Sequence, residues 1–97
     1  MKDYVILRRN AWRTPEDLER GASRSSRVVE EEMPDRVRWI RTYVFREPDG
    51  GLGSVCIYQA TDDAAVVEHA ERARLALTEV WPLDRTVVIR PDPINRG

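Results

Sequence analysis

Two β-rich arms joined by a short reversal constrain this chain more than any other stretch: Val37-Arg38-Trp39-Ile40-Arg41-Thr42-Tyr43-Val44-Phe45 and Ser54-Val55-Cys56-Ile57-Tyr58-Gln59-Ala60, with Pro48-Asp49-Gly50-Gly51 between them. Branched and aromatic side chains at this density fit a pleated surface. The Pro-Asp-Gly-Gly run supplies a preset φ and a permissive backbone for turning the chain. A hairpin is therefore expected. Along the first arm the residues divide into two alternating sets: Val37, Trp39, Arg41, Tyr43 and Phe45, against Arg38, Ile40, Thr42 and Val44. Both sets are partly apolar, so the pattern predicts a sheet covered by helices on one face and by a partner or ligand on the other.

The flanking segments complete one domain over residues 1–97. Asp3 to Arg9 holds Tyr4-Val5-Ile6-Leu7 between charges, which reads as an interior strand. Thr14, Pro15, Glu16 and Asp17 then supply an N-cap oxygen, a first-turn proline and two carboxylates beside a helix's positive end. Leu18, Ala22, Ser25, Val29 and Met33 recur at helical spacing until Pro34. Thr61-Asp62-Asp63 caps a second helix whose stripe is Val66, Ala70, Ala73 and Leu77, up to a break before Pro82. Asp84 to Arg90, centred on Thr86-Val87-Val88-Ile89, reads as the last strand, and Pro91 and Pro93 make residues 92–97 a tail. The order βαββαβ with right-handed crossovers predicts an α+β, ferredoxin-like sandwich: two helices on one face of a four-stranded antiparallel sheet. The bare face is too apolar for water, so a homodimer packed sheet to sheet, a dimeric α+β barrel, is the expected completion.

Several function classes are excluded at this stage. A net charge of −1 over 97 residues argues against general attraction to nucleic acid or anionic membrane. RNA-recognition domains share the topology, but Gly53-Ser54-Val55-Cys56-Ile57-Tyr58 lacks their basic-Gly-aromatic pattern. No apolar run approaches a membrane span or signal-peptide core, so a cytoplasmic protein is expected. A single cysteine, Cys56, excludes an internal disulfide or a multi-cysteine zinc site and reads as a small buried hydrophobe. There is no Gly-rich phosphate loop, nucleophile elbow or His-Glu-x-x-His.

What chemistry remains gathers on the hairpin. If position 41 faces 59, then Arg41, Tyr43, Ile57 and Gln59 share one face with Trp39 beyond them. A guanidinium, a phenol, an amide and an indole in an apolar surround suit a small organic anion or an aromatic molecule. The same residues also suit a dimer interface with Arg41 in an intersubunit salt bridge. The single His69 borders the second helix's buried stripe, as a packing residue or as a ligand or proton carrier.

The blocks Val37 to Val44, Cys56-Ile57-Tyr58-Gln59-Ala60, Glu68-His69-Ala70, Leu83-Asp84-Arg85 and Arg90-Pro91-Asp92-Pro93 together resemble a family of small bacterial proteins of formerly unknown function, typified by a nickel-binding protein of actinomycetes. The resemblance implies a ferredoxin-like homodimer and, in the typifying member, bound nickel. That family usually carries a glutamate where this chain has Leu7, a histidine where it has Arg41 and an acidic residue where it has Gln59. Arginine cannot ligate a metal, which leaves His69 as the one familiar nitrogen donor should the family's metal site persist. The expectation is a homodimeric ligand-binding or accessory protein without cofactor or tight nickel, its ligand held by Trp39, Arg41, Tyr43, Gln59 and His69. A cofactor-free isomerase, cyclase or oxygenase is the alternative, with His69 or Tyr43 exchanging protons and Arg41 holding an anion. A nickel-binding protein and a structural subunit of a larger complex are further alternatives.

Overall fold

The structure, a computed structural model, describes residues 1–93. Strand β1 (Lys2–Trp12) leads to helix α1 (Pro15–Arg27), which continues through a π-helical turn over Val28–Glu32. Strands β2 (Val37–Arg46) and β3 (Leu52–Ala60) form the hairpin, followed by helix α2 (Asp63–Ala73) and strand β4 (Glu79–Pro82). The sheet order is β2-β3-β1-β4 with every neighbour antiparallel, the ferredoxin-like arrangement.

Local chemistry sets the helix ends. Thr14 Oγ1 accepts from the Asp17 amide at 3.1 Å with Pro15 behind it, and Asp62 Oδ1 accepts from the Ala65 amide at 2.8 Å. Each satisfies an amide that has no partner within its helix. The apolar alternation of β1 sends Tyr4, Ile6 and Arg8 under the helices and leaves Asp3, Val5 and Leu7 on the other face. Val28, Met33, Val37, Cys56, Tyr58, Ala65 and Val66 join Tyr4 and Ile6 in the core. Gly21 admits the Trp12 indole against α1, since a Cβ there would stand 2.6 Å from Trp12 Nε1.

Two parts of the secondary structure depart from expectation. Helix α2 stops at Ala73 because Arg74 turns left-handed (φ 54°) and its amide donates back to Ala70 and Glu71, a helix-ending cap. Leu75 and Leu77 consequently pack on the core from outside the helix. The last strand then begins early, at Glu79 rather than Asp84, pairing Tyr4 with Pro82 and Leu7 with Glu79. The Leu83 amide still reaches Asp3 O at 2.8 Å. Beyond it the chain leaves the edge of β1, so Asp84 to Arg90 is not a strand and Val87, Val88 and Ile89 stand exposed.

The hairpin carries the third correction. Its register sets Arg38 opposite Gln59 and Arg41 opposite Ile57, with an irregularity between Trp39 and Arg41 that inserts Ile40 as an extra residue. A bulge of this kind reverses the parity of everything after it. Val37 and Trp39 face the helices, whereas Arg41 and Tyr43 face away from them and Thr42 takes the inward position. The single alternation read along this arm is therefore two half-patterns.

Past the bulge the hairpin is clamped to β1 by Glu47, which is buried. Its carboxylate accepts from Arg9 Nη2 at 2.7 Å and from the Asn10 amide at 2.6 Å, while the Arg9 guanidinium lies 5.6 Å from the Phe45 ring. The Arg9 hydrogen bond and then the Asn10 amide hold the Glu47 carboxyl below its usual range. Gly53 makes this closure possible: a Cβ there would stand 2.7 Å from Phe45 Cζ, 2.8 Å from Glu47 Oε2 and 2.9 Å from the Arg8 carbonyl. The backbone carbonyl cannot yield without disturbing the sheet. Gly53→Ala is expected to lower stability by about 1–3 kcal/mol, measured by urea denaturation.

Candidate functional site

The face turned away from the helices collects one set of side chains from each strand. Asp3, Val5 and Leu7 come from β1, Arg41 and Tyr43 from β2, Val55, Ile57 and Gln59 from β3, and Trp81 from β4. After Leu83 the chain turns back over this face and encloses a cavity of about 800 Å³ against Asp3, Arg41, Tyr43, Ile57 and Gln59. Asp92 closes the arrangement. Its Oδ2 accepts from Arg41 Nη1 at 2.7 Å and from the Tyr43 hydroxyl at 2.8 Å. Tyr43 and then Asp92 raise the Arg41 guanidinium above its ordinary pKa, so it stays charged. Gln59 Nε2 donates to Asp3 Oδ1 at 3.0 Å on the same face. Arg41, Tyr43 and Gln59 are thus brought together as expected, although 41 lies opposite 57 rather than 59.

Trp39 and His69 are not part of this group, because the Ile40 bulge turns Arg41 and Tyr43 outward while Trp39, before it, stays inward, and α2 covers that inner face. Trp39 stacks on Tyr58 at 6.0 Å between centroids and 6° between planes, and its Nε1 donates to Thr42 Oγ1 at 2.7 Å. His69 is fully buried, with Nε2 3.1 Å from Ser25 Oγ and its ring 5.0 Å from that of Tyr58. Ser25 Oγ lies 2.8 Å from the Tyr58 hydroxyl. Beneath them Arg8, 1% exposed, donates from Nη1 to the Ala76 carbonyl at 2.7 Å and sits 5.8 Å from the Tyr58 ring. The sheet therefore separates the proposed proton carrier His69 from Tyr43 and Arg41, and the five expected site residues form two groups on its two sides.

Sequence reasoning missed Trp81, Asp92 and the Arg8-Ser25-Tyr58 cluster. Trp81, 60% exposed with Nε1 donating to Glu79 Oε1 at 2.9 Å, fell in the break assigned before Pro82. Asp92 belonged to the expected tail, whose residues 94–97 lie outside the described residues. For Arg8 a signal was available, since it occupies the next inward position after Tyr4 and Ile6.

Burial, and after it the Arg8 charge, pushes the His69 imidazole down to about 4 from 6.5, while burial pushes the Tyr58 phenol up to about 12. Between those two histidine values the unfolded chain holds a proton that the folded chain refuses, so stability falls as pH drops from 6.5 towards 4. The expected loss is roughly 3 kcal/mol across that window. Urea denaturation over a pH series checks it: His69→Gln should flatten the stability profile there relative to the parent chain, whereas carboxylate titration below the window remains in both.

Among the described residues no helix is long and apolar enough to cross a membrane. No group of three or more His, Cys, Asp or Glu side chains is gathered there for a metal ion. No curated protein matches the chain. Its fold is similar to the crystal structure of SCO4226 from Streptomyces coelicolor A3(2), with a TM-score of 0.67 over 88% of this chain and 99% of that one at 17% identity. The family described as nickel responsive protein SCO4226-like matches residues 4–83, which hold both helices and all of the sheet but Lys2 and Asp3. The chain belongs to the SCO4226-like family of nickel responsive proteins, the kind of protein that the hairpin blocks resembled.

Proposed function

We propose that this chain is a cytoplasmic, homodimeric binding protein for a small organic anion, which it takes at the open sheet face in place of nickel. The observation that carries this reading is the capture of a carboxylate by Arg41 and Tyr43. Asp92 presents one oxygen to both, in the way a ligand's carboxylate would be held. An internal group already has the geometry and charge of the expected ligand. Ile57 supplies apolar wall beside it, and the cavity is large enough for a small aromatic acid.

The donor set argues against nickel. Leu7, Arg41 and Gln59 share the open face, and none of them offers the imidazole or free carboxylate that a divalent transition metal selects. Of the three carboxylates there, Asp92 is bonded to a guanidinium, Asp3 to the Gln59 amide, and Glu79, opposite Leu7, to the Trp81 indole. His69, the single imidazole, lies across the sheet with Nε2 engaged by Ser25. The residues present do not fit the ion named in the family's description. The enzymatic alternative keeps Tyr43 beside Arg41 but loses His69, the other of its two proton carriers, for the same reason. Homodimerisation is supported by the exposure of Ile40 and Tyr43 on one edge strand of the sheet and of Trp81 on the other, apolar surface that a partner would cover.

Calorimetric titration tests the reading directly. Benzoate is expected to bind the intact chain weakly, several-fold more tightly to Asp92→Asn, and not measurably to Arg41→Ala. Stoichiometric sub-micromolar binding of nickel, or benzoate binding indifferent to Arg41→Ala, would overturn it. Sedimentation equilibrium should find a dimer that Trp81→Glu weakens. A monomer in the parent chain would remove the dimeric part of the proposal.

A further inference from the structure

We propose that in the homodimer the segment closing each Arg41 site comes from the other copy: residues 84–92 of one protomer cross to its partner, where Asp92 is held by the partner's Arg41 and the partner's Tyr43. This rests on the homodimeric reading above. Residues 84–92 form a strap beyond the family match, which ends at Leu83. The strap is held only slightly by its own sheet. The Leu83 amide makes the last backbone bond, to Asp3 O, and from Asp84 onward no backbone group bonds to another among the described residues. Arg85 pairs with its neighbour Asp84, and the far end is tied down by Asp92, which is half exposed, as is Arg41. A solvent-screened ion pair of that kind contributes little. Val87, Val88 and Ile89 wall the cavity, yet they stay 73%, 70% and 83% exposed. Closure within one copy therefore leaves the apolar run of the strap in water, where its burial stabilises nothing.

The strap is also longer than its own site requires. Trp81, Val5, Ile57 and Arg41 form one row across the sheet, each opposite the next. Three strand spacings put β4 about 14 Å from β2, whereas the nine residues 84–92 reach about 30 Å when extended. Sheets packed face to face stand about 10 Å apart. The charges choose between the ways of relating two such sheets. A two-fold axis across the strands would stack β2 on the partner's β2 and bring two Arg41 guanidinium groups together. An axis parallel to the strands sets β4 over the partner's β2 instead, so Trp81 meets the apolar edge that carries the partner's Ile40 and the partner's Tyr43. In that arrangement the partner's Arg41 is nearer to Leu83 than the chain's own. Both contacts of Asp92 are then kept, and the aliphatic run lies between two sheets. Exchange of one identical segment in each direction is a low-cost route to a symmetric dimer.

Isotope-filtered NMR tests this on dimers of one labelled and one unlabelled copy, made by unfolding and refolding the intact chains together. Cross-peaks from the methyl groups of Val87, Val88 and Ile89 to Ile57 and Tyr43 are expected between copies. Should those methyl signals be too broad to assign, a short bis-maleimide reads the same contact in the double variant Ile40→Cys, Arg90→Cys, whose native Cys56 is buried. Covalent dimers are the expected product. A dimer whose strap cross-peaks, or whose cross-links, all arise within one copy would overturn the exchange and leave the anion-binding reading standing. A monomer would overturn it together with the dimeric part of that reading.

Discussion

Strand β1 is hydrogen-bonded on both sides, to β3 along most of its length and to β4 over Tyr4 to Leu7. A strand held in that way leaves each side chain only two directions, and alternate residues must take opposite ones. The parity of β1 therefore decides what chemistry reaches each face. Tyr4, Ile6 and Arg8 go beneath the helices, and Asp3, Val5 and Leu7 go to the open face. Two of the polar clusters are consequences of that division. One gathers around Arg8 in the layer between helices and sheet, and the other around Arg41 and Asp92 on the far side. They share the sheet and no side chain.

Those features of the fold that depend on local chemistry could be read from the sequence. Thr14-Pro15 and Asp62 announce both helices, Pro48-Asp49-Gly50-Gly51 announces the hairpin, and the order of elements follows. The last strand could not be read in the same way. Thr86-Val87-Val88-Ile89 has the stronger β preference, but propensity describes fit to a pleated surface and not the availability of a partner. Glu79-Val80-Trp81-Pro82 pairs because α2 ends at Arg74 and β1 is close at hand, and both are tertiary circumstances. At the site, Arg41, Tyr43 and Gln59 were legible because parity within a short run is reliable. Trp39 and His69 stand apart from them because one inserted residue and one helix docking lie between the pattern and the space it describes, and His69 takes the packing role that its place beside the buried stripe also allowed.

Membership of a nickel responsive family and an open face that carries Leu7, Arg41 and Gln59 are compatible in physical terms. The sheet and helices require apolar parity, caps and a turn, all of which this chain has. The side chains of the open face can change without touching the core, since Leu7, Arg41 and Gln59 contribute nothing to the packing of Tyr4, Ile6, Cys56 and Tyr58. A fold shared at 17% identity with SCO4226 is what such independence permits.

The bulge at Ile40 has the character of a frameshift written in space. A frameshift leaves every later letter unchanged and alters what each one means; the extra residue leaves Arg41 to Phe45 unchanged and exchanges inside for outside. Without it Arg41 and Tyr43 would lie beneath the helices and Thr42 would face the cavity that Asp92 closes. Substitutions could alter the open face one residue at a time. A single deletion at this position would replace the whole β2 contribution at once, with no change to any remaining residue.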